Sequence, residues 1–266
     1  MQRRRARVGH AIRPASDPRP FVSPASKEGA AAPDSSLPHS SNLLIARLPA
    51  VARTRLGDVG QVVDLTLSQV IAEAEAEPSC VHFPLDGFVS LLQRIDGTHV
   101  IEVNMVGREG MTGVQVALGV SREPFQCLVQ GAGRALKIEA AAFRRVLAAT
   151  PALRATLALY VHVLLVQQAR AAACVRFHGI ERRLARWLLM SQDRGRTDRL
   201  QLTQELLATT LGVRRVGVTM AAGRMQRSKL LSCERGSMTI VDRGGLELAA
   251  CSCYASDRAV YAANLA

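Results

Sequence analysis

Residues 200–241 constrain the fold more than any other part of the chain. Apolar residues recur at helical spacing between positions 202 and 211. Gly212 then interrupts the pattern, and a second helical run with arginines at its start covers residues 214–229. Because a glycine between two short helices permits a sharp corner, this segment predicts two helices packed at an angle.

A hairpin pattern follows the second helical run. The apolar stretches Leu230–Cys233 and Met238–Val241 flank a turn-forming sequence with Arg235 near its tip, which is the pattern of two strands joined by a tight turn. An ordinary pair of packed helices is the alternative. Arginines at the start of the second helix and on the hairpin favour a winged DNA-binding module.

Charge is distributed unevenly along the chain. The formal net charge of +12 comes from +4 in residues 1–40, −1 in residues 41–149 and +9 in residues 150–266. A basic C-terminal part beside a near-neutral middle is expected when phosphate binding is confined to one domain. Excess arginine also serves solubility, so charge supports the DNA-binding interpretation without deciding it.

Residues 1–40 mix arginine with proline, serine and alanine. This composition cannot bury a core, so we expect a disordered, basic, Pro-rich tail. The basic start is not followed by the apolar segment of a secretory signal, and no run of about 18 apolar residues predicts a membrane span. We therefore expect a cytoplasmic protein with no membrane partner.

The region between residues 62 and 138 predicts short strands separated by turns. Asp96 and Gly97 form a strong hairpin signal between two of the strands. Short strands at regular spacing indicate an antiparallel barrel or jelly roll. The candidate strands are Val62–Leu67, Cys80–Phe83, Phe88–Arg94, Val100–Val106, Gln126–Gln130 and Ala135–Ile138.

Thr150 and Pro151 begin the longest helical pattern, since proline suits the first turn of a helix. A seam of residues three or four positions apart is typical of a helix that pairs with a second helix. We expect a homodimer interface here, with packing against the chain's own barrel as the alternative. The pattern breaks at residues 177–179, a plausible hinge. The seam consists of Leu157, Val161, Leu164, Gln168, Ala171 and Val175.

The cysteines lack a CxxC pair, and in a cytosolic chain such residues are most often small buried hydrophobes. Cys251 and Cys253 are separated by one residue, a spacing that suits neither a zinc knuckle nor an iron–sulfur cluster. We expect no metal and no cofactor, and interpret His178 as a local structural residue. Metal or redox sensing is the alternative. The six cysteines are Cys80, Cys127, Cys174, Cys233, Cys251 and Cys253.

Five motifs within residues 42–254 carry a family resemblance: Phe83–Ser90, Val106–Gly110, Glu181–Leu189, Leu202–Glu205 and Leu211–Arg215. They resemble motifs of the Crp/Fnr superfamily of bacterial transcription regulators. The resemblance implies an α+β fold, with an N-terminal antiparallel β-barrel or jelly roll of the cyclic-nucleotide-binding-like type. A long dimerisation helix and a C-terminal winged helix-turn-helix follow. It implies duplex DNA with two half-sites, a second copy of the chain and RNA polymerase as partners.

The expected organisation has four segments: the tail at 1–40, a sensor barrel at 41–149, the dimerisation helix at 150–176 and the DNA-binding domain at 177–266. The expected function is a homodimeric, sequence-specific transcription regulator that is not an enzyme. One alternative is a ligand-sensing or protein-interaction module with a vestigial winged helix. Another is a metal enzyme in the barrel, for which only His82 and His99 are available.

One departure from the family concerns the effector. Relatives that bind cyclic AMP carry a Gly-Glu pair for the ribose and an Arg-Ser/Thr pair for the phosphate. Val114 replaces the acid here, and no Arg-Ser/Thr pair precedes the strand from Gln126. A buried phosphate without a cation is costly, so we expect no tight cyclic-nucleotide binding, with Arg122 as a possible substitute. The effector remains open.

A second departure concerns base recognition. Family positions that face base edges match Arg215, Val216 and Met220, which suit guanine and thymine methyl groups. Gly217 and Gly223 weaken a helix, and close approach of the backbone to phosphate is one hypothesis for them. The predicted DNA contacts are Thr203, Gln204, Arg214, Arg215, Val216, Gly217, Thr219, Met220, Gly223 and Arg235.

Overall fold

The computed structural model describes residues 41–97 and 99–265, which belong to one compact unit. The tail predicted at residues 1–40 lies outside the described residues. The helices are α1 (Leu43–Ala46), α2 (Ala50–Val59), α3 (Val114–Ala117), α4 (Ala140–Ala148), α5 (Pro151–Phe177), α6 (Ile180–Gly195), α7 (Gln204–Leu211), α8 (Arg215–Arg227), α9 (Arg243–Ala249) and α10 (Cys253–Leu265). The strands are β1 (Gly60–Leu65), β2 (Val70–Ala72), β3 (Cys80–Pro84), β4 (Phe88–Ile95), β5 (His99–Val106), β6 (Gln126–Gly131), β7 (Gly133–Glu139), β8 (Arg199–Gln201), β9 (Leu231–Glu234) and β10 (Ser237–Ile240).

The first seven strands form two antiparallel sheets, with strand orders β1-β7-β3 and β2-β6-β4-β5. Leu65 and Ala135 from one sheet pack with Val89, Cys127 and Val129 from the other, so the sheets share a core. All six predicted strands are present, with ends that coincide or differ by at most two residues. The predicted antiparallel barrel or jelly roll is confirmed.

The β4–β5 hairpin turns where the sequence predicted. Asp96 and Gly97 have φ angles of 50° and 73°, a left-handed backbone that aspartate and glycine adopt more readily than most residues. The short β2 was missed because three residues are too few to show an alternating pattern.

Helix α5 begins at Pro151, as predicted, and runs for 27 residues. One face packs against α4 and α10 of the same chain. Leu157 of the predicted seam is buried on that face, Val175 is exposed, and the other seam residues are half-buried. Leu157 therefore packs within its own chain, which was the alternative to a place in the dimer seam.

The opposite face of α5 carries exposed apolar residues, among them Leu159, Leu165 and Phe177. Among the described residues, α5 alone is long and apolar enough to span a membrane, judged by length and composition. A helix that pairs with a second copy meets the same criterion, so this property is weak evidence for a membrane.

The C-terminal part is a three-helix core beside a small sheet with strand order β8-β10-β9. Val218, Ala221 and Met225, predicted on the inner face of the second helix, are buried against α6. The terminal helix α10 was not predicted. Its Asp257 pairs with Arg170 of α5 at 2.7 Å and Arg186 of α6 at 2.6 Å, so α10 connects the long helix to the C-terminal core.

Candidate nucleic-acid interface

The corner between α7 and α8 depends on two residues. The Thr203 hydroxyl accepts a hydrogen bond from the Leu206 amide at 3.1 Å and thereby caps α7. Gly212 ends α7 with φ 62° and ψ 42°. A side chain at this glycine would place its Cβ 2.8 Å from Ile101 Cδ1 of the barrel. Both the backbone angle and the space therefore require glycine.

Helix α8 presents one buried face and one exposed face. Arg215, Val216, Thr219 and Met220 lie on the exposed face, where Val216 is 62% and Met220 57% accessible. Large apolar side chains exposed to this extent beside an arginine fit a surface that is covered by a partner. The buried face consists of Val218, Ala221, Ala222 and Met225.

The Arg215 guanidinium lies at the start of α8, 3.9 Å from the Glu205 carboxylate of α7. Both side chains are exposed, and an exposed ion pair at this distance contributes little stability. Arg215 can therefore exchange the carboxylate for a base edge or a phosphate at low cost. Arg214, the residue before the helix, is exposed as well.

Two further predicted contacts are linked to each other. The Thr219 hydroxyl of α8 donates to Gln204 Oε1 of α7 at 2.6 Å and lies 3.1 Å from the Arg215 carbonyl oxygen. This bond orients the Gln204 amide at the first turn of α7, beside the exposed face of α8. The two helices therefore present a single continuous polar and apolar surface.

The two glycines of α8 differ in their surroundings. A Cβ at Gly217 would lie 2.7 Å from Ile180 Cδ1 of α6, whereas a Cβ at Gly223 would meet only Arg227 Nη1 at 3.7 Å. The close approach of Ile180 gives Gly217 a reason within the chain, and its contact with the DNA backbone stays a prediction. For Gly223 the phosphate hypothesis remains a prediction.

The predicted wing is present as β9, β10 and their connecting turn. Glu234 pairs with Ser237 across the turn, Gly236 has φ 79°, and Arg235 is exposed at the tip. Exposed cations lie on α8, after it and on the wing, which makes this side of the molecule electropositive. They are Arg214, Arg215, Arg227, Lys229 and Arg235.

Residues 182–249, from α6 to α9, match the Crp-like helix-turn-helix domain family. This segment is a Crp-like helix-turn-helix domain. No curated protein sequence matches the chain.

The fold as a whole is that of Crp/Fnr transcription regulators. The c-di-GMP-responsive global regulator CLP of Xanthomonas campestris superimposes with TM-score 0.60 at 12% identity, covering 73% of this chain and 100% of CLP. A Crp/Fnr-family regulator from Thermus thermophilus gives TM-score 0.59 at 19% identity, covering 71% and 98%. FixK2 from Bradyrhizobium japonicum gives 0.59 at 10% identity, covering 73% and 98%.

The Crp-like domain is held against the barrel by buried contacts that the sequence analysis missed. Trp187 Nε1 of α6 donates to Glu102 Oε1 of β5 at 2.8 Å, and Arg194 Nε donates to Glu109 Oε1 at 2.6 Å. Burial raises the pKa of Glu102 to about 7, although Ser90 and Trp187 donate hydrogen bonds to it. The sequence signal that could have revealed this contact was a glutamate within the largely apolar strand β5.

Residues 112–127 of the barrel, for which the sequence predicted no tight cyclic-nucleotide binding, include a buried carboxylate. Gln115 Nε2 donates to the buried Glu123 carboxylate, and burial raises the pKa of Glu123. A cavity of about 280 Å³ beside it is also lined by Glu73 and Glu77. Arg122 is exposed, faces Glu75 at 3.8 Å and does not line the cavity.

Proposed function

We propose that the chain is a homodimeric, sequence-specific DNA-binding transcription regulator. The observation that carries this proposal is the exposed face of α8, where Arg215, Val216 and Met220 stand on a Crp-like helix-turn-helix. An α-helix fits the major groove of DNA, and a helix of this motif reads base edges from its N-terminal part. The exposed face lies in that part of α8.

Arg215 is the proposed base reader, since its guanidinium can donate two hydrogen bonds to guanine O6 and N7. Val216 and Met220 offer apolar contact to thymine methyl groups. Thr203, Arg214 and Arg235 are the proposed phosphate contacts. The rest of the proposed DNA-binding surface consists of Gln204, Thr219 and Gly223. Gly217 lies behind this surface, where α8 packs against α6.

The proposed second half of the DNA-binding unit is another copy of the chain, paired through α5. The exposed side of α5 carries several alanines together with Leu159 and Leu165, and Leu165 is 65% accessible. Burial of such a surface stabilises a twofold pair. Val161, Leu164, Gln168, Ala171 and Val175 of the predicted seam stay proposed dimer contacts. Ala171 and Val175 also line a cavity with β5 and α6 of the same chain.

We propose that the barrel does not bind cyclic AMP tightly. The cavity beside Glu123 is lined by glutamates and by no arginine or lysine of the described residues. A cyclic phosphate bound there would therefore lack a cation. Isothermal calorimetry of the full-length protein with cyclic AMP should give no binding heat. Saturable micromolar binding would refute this part of the proposal.

The remaining parts of the proposal concern the cellular compartment, RNA polymerase and the role of the barrel. A regulator of bacterial transcription acts in the cytoplasm and meets RNA polymerase at the promoter. No enzymatic role is proposed for the barrel: His82 of β3 and His99 of β5 belong to different sheets, so they do not form a ligand pair on neighbouring strands.

Binding of the full-length protein to a mixed pool of duplexes, measured at increasing salt, tests DNA binding. If α8 and the wing contact phosphates, the logarithm of the association constant falls linearly with the logarithm of the salt concentration. The alternative is a protein-interaction module. It predicts no binding to duplex DNA even at low ionic strength.

A further inference from the structure

Three cysteines and a histidine converge where α5, α6 and α10 meet. Cys174 lies in the last turn of α5, His178 follows that helix, Cys251 precedes α10, and Cys253 is its first residue. The four ligand atoms, three Sγ and one imidazole nitrogen, all lie within 4.8 Å of one another. Neither short spacing alone, C-x₃-H or C-x-C, predicted this cluster, because the fold of α10 against α5 brings the two pairs together.

Two of the separations between ligand atoms match those around a tetrahedral zinc ion. Cys174 Sγ and Cys251 Sγ are 3.6 Å apart, as are Cys253 Sγ and His178 Nδ1. With Zn–S of about 2.3 Å and Zn–N of about 2.05 Å, tetrahedral angles place two sulfurs about 3.8 Å apart and a sulfur and a nitrogen about 3.6 Å apart.

Other uses of these thiols fit less well. A disulfide needs sulfurs about 2.05 Å apart, and all the cysteines are free. An iron–sulfur cluster interposes its own iron and sulfide atoms, so its protein ligands lie farther apart than those of a single ion. We propose that Cys174, His178, Cys251 and Cys253 bind one Zn²⁺ as a Cys₃His structural site.

The surroundings suit such a site. Cys174, Cys251 and Cys253 are only 1%, 3% and 7% exposed, so water has little access and protein groups supply all four ligands, as in structural zinc sites. Three thiolates and a neutral imidazole around Zn²⁺ carry a net charge of −1. Arg183 and Arg186 both interact electrostatically with Cys174 and supply compensating positive charge.

The same cysteines also fit the simpler interpretation of small buried hydrophobes. That interpretation accounts for the burial, but it does not account for an imidazole nitrogen among three sulfurs. A zinc ion would join the end of the long helix, the predicted hinge at residues 177–179 and the start of α10. It would thereby fix the direction in which α6 and the Crp-like domain leave α5, a consequence that rests on the proposed function.

The metal content of the full-length protein tests the zinc site. We expect about one zinc per chain by mass spectrometry after purification under reducing conditions and dialysis. Loading with Co²⁺ alone should produce the visible absorption of a tetrahedral cobalt–thiolate site. Cys253→Ser and His178→Ala should lower zinc content at least tenfold, whereas Cys80→Ser, which removes a thiol in the barrel, should leave it unchanged.

Two results would overturn the site. One is a reduced wild-type protein that retains no zinc after incubation with Zn²⁺ alone and gives no cobalt absorption. The other is a Cys253→Ser variant that retains as much zinc as Cys80→Ser. Because the cobalt spectrum is recorded on the wild type, misfolding of a variant does not affect it. Metal content is independent of DNA binding, so failure of the proposed function would be recognised separately.

Discussion

The proposed base recognition depends most directly on Arg215, whose guanidinium is exposed. We expect Arg215→Ala to weaken binding to the preferred duplex about 5- to 150-fold, corresponding to the roughly 1–3 kcal/mol of a good base contact. Fluorescence anisotropy with preferred and scrambled duplexes measures the effect.

Arg122→Ala is the matched control for this variant, since it removes an exposed arginine from the barrel. It should leave both affinities unchanged. If Arg215→Ala instead lowers binding to preferred and scrambled duplexes equally, Arg215 contacts phosphate and not a base.

Glu102 makes the stability of the molecule depend on pH. Its pKa of about 7 in the folded protein lies above the ordinary value of 4.5. Between pH 4.5 and 7 the folded protein therefore keeps Glu102 protonated, whereas the unfolded chain has released that proton. The stability contributed by this proton is present below about pH 4.5 and is lost as pH rises through 7.

Glu102→Gln mimics the protonated carboxyl and should therefore become more stable than the wild type as pH rises from 5 to 8. The expected gain in the free energy of unfolding is up to about 3 kcal/mol. Urea unfolding of both proteins at the two pH values measures it. A difference that stays constant with pH would show that Glu102 is ionised in both states.

At the scale of elements, α5 carries the proposed dimer. Leu165→Glu should convert the dimer to a monomer in analytical ultracentrifugation, because the pair would bury an uncompensated charge at its centre. Val51→Glu on α2 is the control: Val51 is also 65% exposed, and the variant should stay dimeric. A dimeric Leu165→Glu protein would place the interface elsewhere.

Elements with a strong periodic pattern could be predicted from sequence. Apolar spacing identified α5, α7 and α8, and the Asp96–Gly97 signal identified the β4–β5 hairpin. The helix α10 was missed because its packing depends on Asp257, a buried acid whose partners Arg170 and Arg186 lie more than 70 residues away. Such long-range pairs leave no local pattern.

Prediction of the candidate sites from sequence was limited in the same way, by contacts between distant parts of the chain. Arg215, Val216 and Met220 were predicted because they match the base-facing positions of the Crp/Fnr resemblance, and all three are exposed on α8. The sequence could not show that Ile180 approaches Gly217, so only the phosphate hypothesis was available for this glycine. The Cys174 cluster was missed because its two ligand pairs meet only in the folded chain.

On the scale of the whole molecule, the barrel and the Crp-like domain form a continuous structure. Trp187 contacts Glu102, Gly212 packs on Ile101, and Phe88 and Met105 of the barrel belong to the same core as α6 and α8. Packed side chains therefore connect the barrel directly to the helices that carry the proposed DNA-binding surface.

Selection of bound sequences from a random duplex pool by the full-length protein tests most directly whether two copies of α8 read DNA together. The account predicts an enriched inverted repeat whose half-sites lie about 10–10.5 base pairs apart, centre to centre, with a guanine in each. A pool that shows no enriched sequence after selection, or a single unrepeated site, would contradict it.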